Sequence, residues 1–154
     1  MKLGIISDTH GLFDPKIPGI FEGVDFILHG GDIGPAAILH QLEAIAPVTA
    51  VLGNTDGPMA GIRETEFVRC GDLGVLLHHI VDPGHLSDSI VRRIELNKPR
   101  VVVFGHTHKP FSKTMGGVLF FNPGYAGPQR FALPRSVALL HWEGSRLREE
   151  VIPL

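Results

Sequence analysis

Two histidines two residues apart, His106 and His108 in the segment RVVVFGHTHKP, follow an apolar run that ends in glycine. Comparable hand-overs occur elsewhere in the chain. Asp8-Thr9-His10 follows KLGIIS, Asp32 follows DFILHGG, Asn54-Thr55-Asp56 follows VTAVLG, and His79 follows GVLLH. Each apolar run therefore leads into a side chain able to ligate a metal ion. Residues at i and i+2 of an extended segment point to one side, so Asp8 with His10, and His106 with His108, are expected to act together. Gly30, Gly31, Gly53 and Gly105 stand just before these residues, where a sharp turn or a close backbone approach calls for a residue without Cβ.

Asp8, His10, Asp32, Asn54, His79, His106 and His108 make seven candidate ligands, enough for two divalent metal ions if one carboxylate bridges them. With Cys70 as the only cysteine, a thiolate-type structural zinc site is ruled out. Mixed nitrogen and oxygen ligation suits manganese, the leading candidate, as well as iron, nickel, zinc or cobalt. Two such ions bring four positive charges, of which Asp8 and Asp32 offset two; a bridging hydroxide and one phosphodiester charge take up the rest. A metal pair ~3.5–4 Å apart generates a nucleophile near neutral pH and clamps a phosphoryl oxygen. Phosphoester hydrolysis is the chemistry that fits. A nucleophilic triad built on Ser7 is disfavoured, because the chain has no Gly-x-Ser-x-Gly elbow there.

The elements that must position these residues are legible from hydrophobic patterning. KLGIIS, DFILHG, VTAVLG, GVLLHH, RVVVFG, GVLFFN and SVALLHW are short runs rich in Val, Ile, Leu and Phe, the pattern of buried strands. Helices are expected over 15–22, 35–45 and 87–97, the second opening with Pro and the third with a Ser or Asp cap. The resulting β-α-β-α-β start places the polar residues at the C-terminal edge of an open α/β sheet, where ligands bind. Hairpins are expected at Gly116-Gly117 and at 143–145.

Composition narrows the partners. The chain has 154 residues, 44% of them hydrophobic and 19% charged, with net charge -2 and pI ≈ 6.5. One globular domain over 1–154 is expected. There is no basic excess for a nucleic-acid backbone or an anionic membrane. The first apolar run is too short for a signal peptide or a membrane span, which makes a cytoplasmic protein the expectation. Cys70 is read as a small buried hydrophobe, and His40 and His141 as unpartnered. Lys109, Lys113, Arg130 and Arg135 either steer a phosphate or form a solvated surface. GVLFF and the terminal VIPL pack internally or across a homo-oligomer interface.

In that order, Asp8-x-His10, Gly31-Asp32, Gly53-Asn54-x-Asp56, His79 and Gly105-His106-Thr107-His108 resemble the calcineurin-like metallophosphoesterases. SDTHG, HGGD and the NPG of 122–124 resemble most the small single-domain prokaryotic phosphodiesterases of that superfamily. The resemblance implies a four-layer α/β/β/α sandwich of two mixed sheets, with a dinuclear centre acting on a small phosphoester. It implies that Asp8, His10 and His108 hold the first metal, that Asn54, His79 and His106 hold the second, and that Asp32 bridges them. His29 would lie behind the ligands. Asp32, Asn54, His106 and Asp56 are also assigned to catalysis, Asp56 with two readings, orienting a ligand or serving a turn.

Two departures from the family pattern stand out. The chain has His78-His79-Ile80-Val81 where relatives usually carry Thr-His-Gly-His, so His78 is the alternative ligand and His85 a candidate to fill the vacated space. Thr55 stands where many phosphomonoesterases and nucleases of the superfamily place an acid histidine, which points to diesters with acidic leaving groups. Other expectations are a phosphomonoesterase or nucleotide hydrolase and, in a different class, a protein-binding scaffold such as the retromer subunit of this fold.

Overall fold

In the computed structural model, which describes residues 1–154, the apolar runs become strands of two five-stranded sheets. The chain runs through β1 (Lys2–Ile6), α1 (Ile17–Ile20), β2 (Phe26–His29), α2 (Ala37–Glu43), β3 (Val48–Ala50), β4 (Thr65–Cys70) and β5 (Leu73–His78). It continues through α3 (Asp88–Asn97), β6 (Val101–Val103), β7 (Pro110–Met115), β8 (Val118–Pro123), β9 (Ser136–Trp142) and β10 (Leu147–Pro153). One sheet has the order β10-β9-β1-β2-β3 and the other β4-β5-β6-β8-β7. Strands β1, β2 and β3 are parallel, as are β5, β6 and β8, while hairpin partners at the edges run antiparallel.

The strands read as continuous apolar runs because both faces of each sheet are covered. Leu3, Ile5 and Leu28 from one sheet meet Val75, Leu77, Val101, Val103 and Phe121 from the other in the inter-sheet core. The alternate residues Ile6 and Ile27 turn outward to Ile17, Phe21, Ile38 and Leu42, so α1 and α2 cover the first sheet. On the second sheet Leu76, Val102 and Phe120 face Leu86 and Ile94, beneath α3. The result is the expected four layers, α/β/β/α. Phe121 is fully buried between the sheets, so Phe121→Ala is expected to cost ~3–5 kcal/mol in denaturant unfolding.

Local chemistry explains where expectation and structure differ. The expected first helix shrinks to four residues, since Pro18 and Gly19 lie inside it. Helix α3 matches its pattern: Ser87 accepts from the Ile90 backbone N–H at 3.3 Å, and Lys98 ends the helix at φ 48°. Gly116 and Gly117 form the β7–β8 turn at φ 57° and 78°. The apolar tails pack within the chain, with Phe120 and Phe121 buried and Ile152 paired to Val137 on β9. Cys70 is buried, which pushes its thiol up to about 11. No helix is long and apolar enough to cross a membrane.

His29, at the end of β2, ties the first two parallel strands to the loops beyond them. Its Nδ1 accepts from the Gly31 backbone N–H at 3.1 Å, which leaves the proton on Nε2 to donate to Thr9 Oγ1 at 2.9 Å. Thr9 in turn donates to the Ile33 carbonyl at 2.8 Å. The ring is fully buried, and burial lowers its pKa from 6.5 to about 3. An unfolded chain takes up this proton below pH 6.5 and the folded chain does not, so the stability it contributes is full above that pH. It is lost progressively as pH falls toward 3. His29→Gln is expected to flatten the stability profile between pH 6.5 and 4 by up to one proton, about 1.4 kcal/mol per pH unit, in denaturant titrations of metal-free protein.

Candidate metal centre

The C-terminal ends of β1, β2 and β3 meet those of β5 and β6 across one crevice. Backbone hydrogen bonds lock the loops that leave them: Asp8 N to Gly31 O at 2.9 Å, His10 N to Asp32 O at 3.0 Å, and Gly105 N to His79 O at 3.0 Å. The ligand pairs do not sit on extended backbone, as their i, i+2 spacing suggested. Seven non-glycine residues have positive φ, and five of them are Asp8 (53°), His10 (44°), Asp32 (54°), His106 (70°) and His108 (59°). The left-handed region costs an L-residue roughly 1–2 kcal/mol, so its concentration here marks a strained, over-determined site.

Asp8, Asp32 and His79 each have one polar atom held by the protein and another turned inward. Asp8 Oδ2 accepts from the Ser7 hydroxyl at 2.6 Å and from His106 N at 3.2 Å. Its Oδ1 faces His108 Nε2 at 3.2 Å, His79 Nε2 at 3.8 Å and His10 Nε2 at 4.0 Å. Asp32 Oδ1 accepts from Thr55 N at 2.9 Å, while Oδ2 lies 3.3 Å from His79 Nε2 and 3.8 Å from His10 Nε2. His79 Nδ1 donates to the Gly30 carbonyl at 2.7 Å, leaving the Nε2 lone pair free. Two groups with the spacing of a metal site result: Asp8 with His10 and His108, and Asp8 with Asp32 and His79.

Asn54 and His106 lie at the exposed mouth beside this centre. Asn54 Oδ1 and His106 Nδ1 are 3.0 Å apart, and the His106 ring stands edge-on to His79 with centroids 5.5 Å apart. His79, not His78, faces the carboxylates. His78 remains on β5, where Nδ1 contacts Thr65 Oγ1 at 2.8 Å. Asp56 lies outside the cluster, contrary to its assignment among the catalytic residues. Both its oxygens accept backbone N–H groups, those of Ile33, Gly34 and Gly53 at 2.8 to 3.1 Å, so it clasps the two loops that carry Asp32 and Asn54. His85 is exposed in a turn and does not fill the crevice.

Arg135 neither steers a ligand nor faces solvent freely: it donates to Asp14 at 2.8 Å and to the carbonyls of Gly127 and Ala126. The role of Asn122 was missed in the sequence. Asn122, fully buried at the C-terminal end of parallel β8, donates to Gly105 O at 2.9 Å and Thr107 Oγ1 at 3.2 Å, holding the loop of His106 and His108. Tyr125 stacks on His108 with centroids 4.8 Å apart. Asn122 obeys the same rule as the others, a polar residue ending an apolar run, and that signal was available.

The donor set fits divalent metal ions. Asp8 Oδ1 and His79 Nε2 are buried and have no hydrogen-bond partner, a costly state unless something electropositive lies between them. Burial raises the Asp8 carboxyl above its ordinary range despite the Ser7 hydrogen bond and the nearby histidines, and the neighbouring Asp32 charge adds to the rise. Burial also acts to raise Asp32, but the Thr55 N–H and the flanking His79 and His10 outweigh it and hold that carboxyl low. Burial keeps His108 below the usual histidine range. Carboxylate oxygens and imidazole nitrogens thus face one another across the pocket, the donor set of a divalent cation.

A family model for the calcineurin-like phosphoesterase superfamily domain matches residues 1–145. A probable metallophosphoesterase of Methanothermobacter thermautotrophicus is 34% identical over 164 residues, covering 99% of this chain and 92% of that protein. Among solved structures, an archaeal phosphodiesterase superposes with a TM-score of 0.75 at 27% identity, over 99% of this chain and 100% of that one. Vps29 of Chaetomium thermophilum superposes at 0.80 over 100% of this chain and 94% of that one, but at 17% identity, a likeness of fold alone. Match, fold and donor set agree, and the chain belongs to the calcineurin-like phosphoesterase superfamily, a family of metal-dependent phosphoric ester hydrolases.

Proposed function

We propose that the chain is a phosphodiesterase in which Asp8, His10 and His108 hold one divalent ion, His79, Asn54 and His106 hold a second, and Asp32 bridges them. The observation that supports this most is the division of labour within each carboxylate: one oxygen is held by the protein, and the other is aimed among imidazole Nε2 atoms. When bound, the ions supply an activated water and a Lewis-acid clamp on the phosphoryl oxygens. Manganese is the proposed metal. The relatives named phosphodiesterase, in Methanocaldococcus jannaschii (29% identical) and Escherichia coli (26%), support the choice of diester over monoester.

The chain's own residues do the positioning. The Gly30 carbonyl fixes the His79 tautomer with its lone pair inward. Ser7 and the His106 N–H hold Asp8, and the Thr55 N–H holds Asp32, so neither carboxylate must reorganise when charge builds up on phosphorus. His106 and Asn54, exposed at the mouth, are the groups an incoming phosphate meets first. Thr55 has a hydroxyl too weakly acidic to protonate a departing alkoxide, so the leaving group must depart as an anion. General acid catalysis typically contributes ~10² to 10⁴-fold, and alkyl diesters should be slow by that order.

Three outcomes are expected. Asp32→Ala and His79→Ala should lose bound metal by elemental analysis and lower kcat/KM by at least ~10²-fold, whereas His78→Ala should keep its metal. Full metal content and activity in Asp32→Ala would overturn the assignment. Across diesters of graded leaving-group pKa, log kcat/KM should fall steeply; equal values for aryl and alkyl esters, with chemistry rate-limiting, would count against an acid-free mechanism. Gly105→Ala should match the loss seen in His79→Ala, because a Cβ there would overlap Ser7 Oγ and press on Asp8 Oδ2.

A further inference from the structure

A second cleft adjoins the metal centre on the far side of His106, and nothing in the hydrolytic chemistry uses it. It encloses about 480 Å³, within the ~300–1,000 Å³ range of small-molecule sites. Ile80, Val81, Phe104 and Phe111 supply its apolar wall, and His106 is shared with the centre. Phe104 is buried and Phe111 stands against it with ring centroids 5.9 Å apart. Ile80 is 49% exposed and Phe111 36%, so two large apolar side chains stay in water at the rim.

The charges at this cleft decide what it can take. Lys109 and Asp82 both line it, one cation and one anion, which leaves no net charge to attract a second phosphate. On the other side of Ile80 lies a cleft of only about 170 Å³, lined by Leu52, Asn54, Glu64, His78 and Ile80, which is below the size of a small-molecule site. His106 lines the larger cleft and Asn54 the smaller, so a phosphodiester at this mouth would have one ester substituent within reach of the larger. We propose that the Phe111 cleft binds a flat, uncharged aromatic substituent of the substrate, so that the preferred substrates are aryl-type phosphodiesters. The proposal rests on the reading of the metal centre given above. It differs from the leaving-group argument at Thr55, which concerns bond breaking rather than recognition.

The residues are placed for this role by the fold. Ile80 and Val81 follow directly from His79, and Phe104 precedes the Gly105-His106 turn, so the same two loops build the centre and the apolar wall. Phe111 comes from edge strand β7, whose outer side is free of any neighbouring strand. An aromatic ring entering between Phe104 and Ile80 would cover Phe111 and remove apolar surface from water on both partners.

Ligands that mimic the hydrolysis product separate recognition from chemistry. Calorimetric titration of the full chain, reloaded with manganese, would compare inorganic phosphate, methyl phosphate and phenyl phosphate. Phenyl phosphate is expected to bind about tenfold more tightly than methyl phosphate. Phe111→Ser and Ile80→Ser, both at exposed positions outside the apolar clusters of the core, are each expected to bring phenyl phosphate to the level of methyl phosphate. Equal affinities of the wild-type chain for the two esters, or a phenyl preference that survives both substitutions, would overturn the cleft and leave the metal centre standing. No binding of inorganic phosphate to the reloaded protein would instead bring down the metal-centre reading, and the cleft proposal with it.

Discussion

Two carboxylates, Asp8 and Asp32, are withdrawn from water beside one another, and the architecture around them is a set of answers to that cost. A desolvated carboxylate is destabilising unless its lone pairs are met, and a like charge nearby makes it worse. The chain meets half of the demand with its own donors: the Ser7 hydroxyl and His106 N–H on Asp8, and the Thr55 N–H on Asp32. The inward half faces imidazole nitrogens, and for His79 the Gly30 carbonyl takes the ring proton on the other side. A fold that satisfied Asp8 completely would have no affinity left for a cation.

Holding that arrangement requires loops more rigid than loops usually are. Five residues of the centre lie in the left-handed region, and they remain there because the surrounding backbone over-determines them. Asp56 binds three N–H groups from two loops, His29 and Thr9 bridge the ends of β1 and β2, and Asn122 reaches from β8 to the Gly105 carbonyl. None of these four faces the inward atoms, yet each determines where one of them points. The close approach at Gly53 and Gly105, where any Cβ would meet Asp32 or Ser7 and Asp8, shows how little space separates the loops.

Chemistry and recognition are separated in this chain more cleanly than its small size suggests. The buried part of the centre comes from the sheet ends and is polar. The exposed rim comes from the segments just beyond, Ile80 to Pro83 and Lys109 to Phe111, and is largely apolar. Substitutions at the rim can therefore change which ester is held without disturbing the groups that act on phosphorus.

The amino-acid sequence by itself determined which residues are available and that they lie at strand ends, because apolar runs and the polar residue that stops each one are local patterns. Apolar patterning marked the central strands as buried on both faces, and the resemblance of the ordered motifs to a known family implied the four layers. Tertiary structure alone decided which atom of each side chain faces inward. His79 rather than His78 enters the centre because β5 ends at His78, whose ring is engaged by Thr65 on the neighbouring strand. Asp56 and Arg135 look like free charges in the sequence, and only folding shows both saturated by hydrogen-bond partners. Tautomer, rotamer and loop dihedral angle depend on contacts such as that of Asp8 with His106, 98 residues apart, which no local pattern encodes.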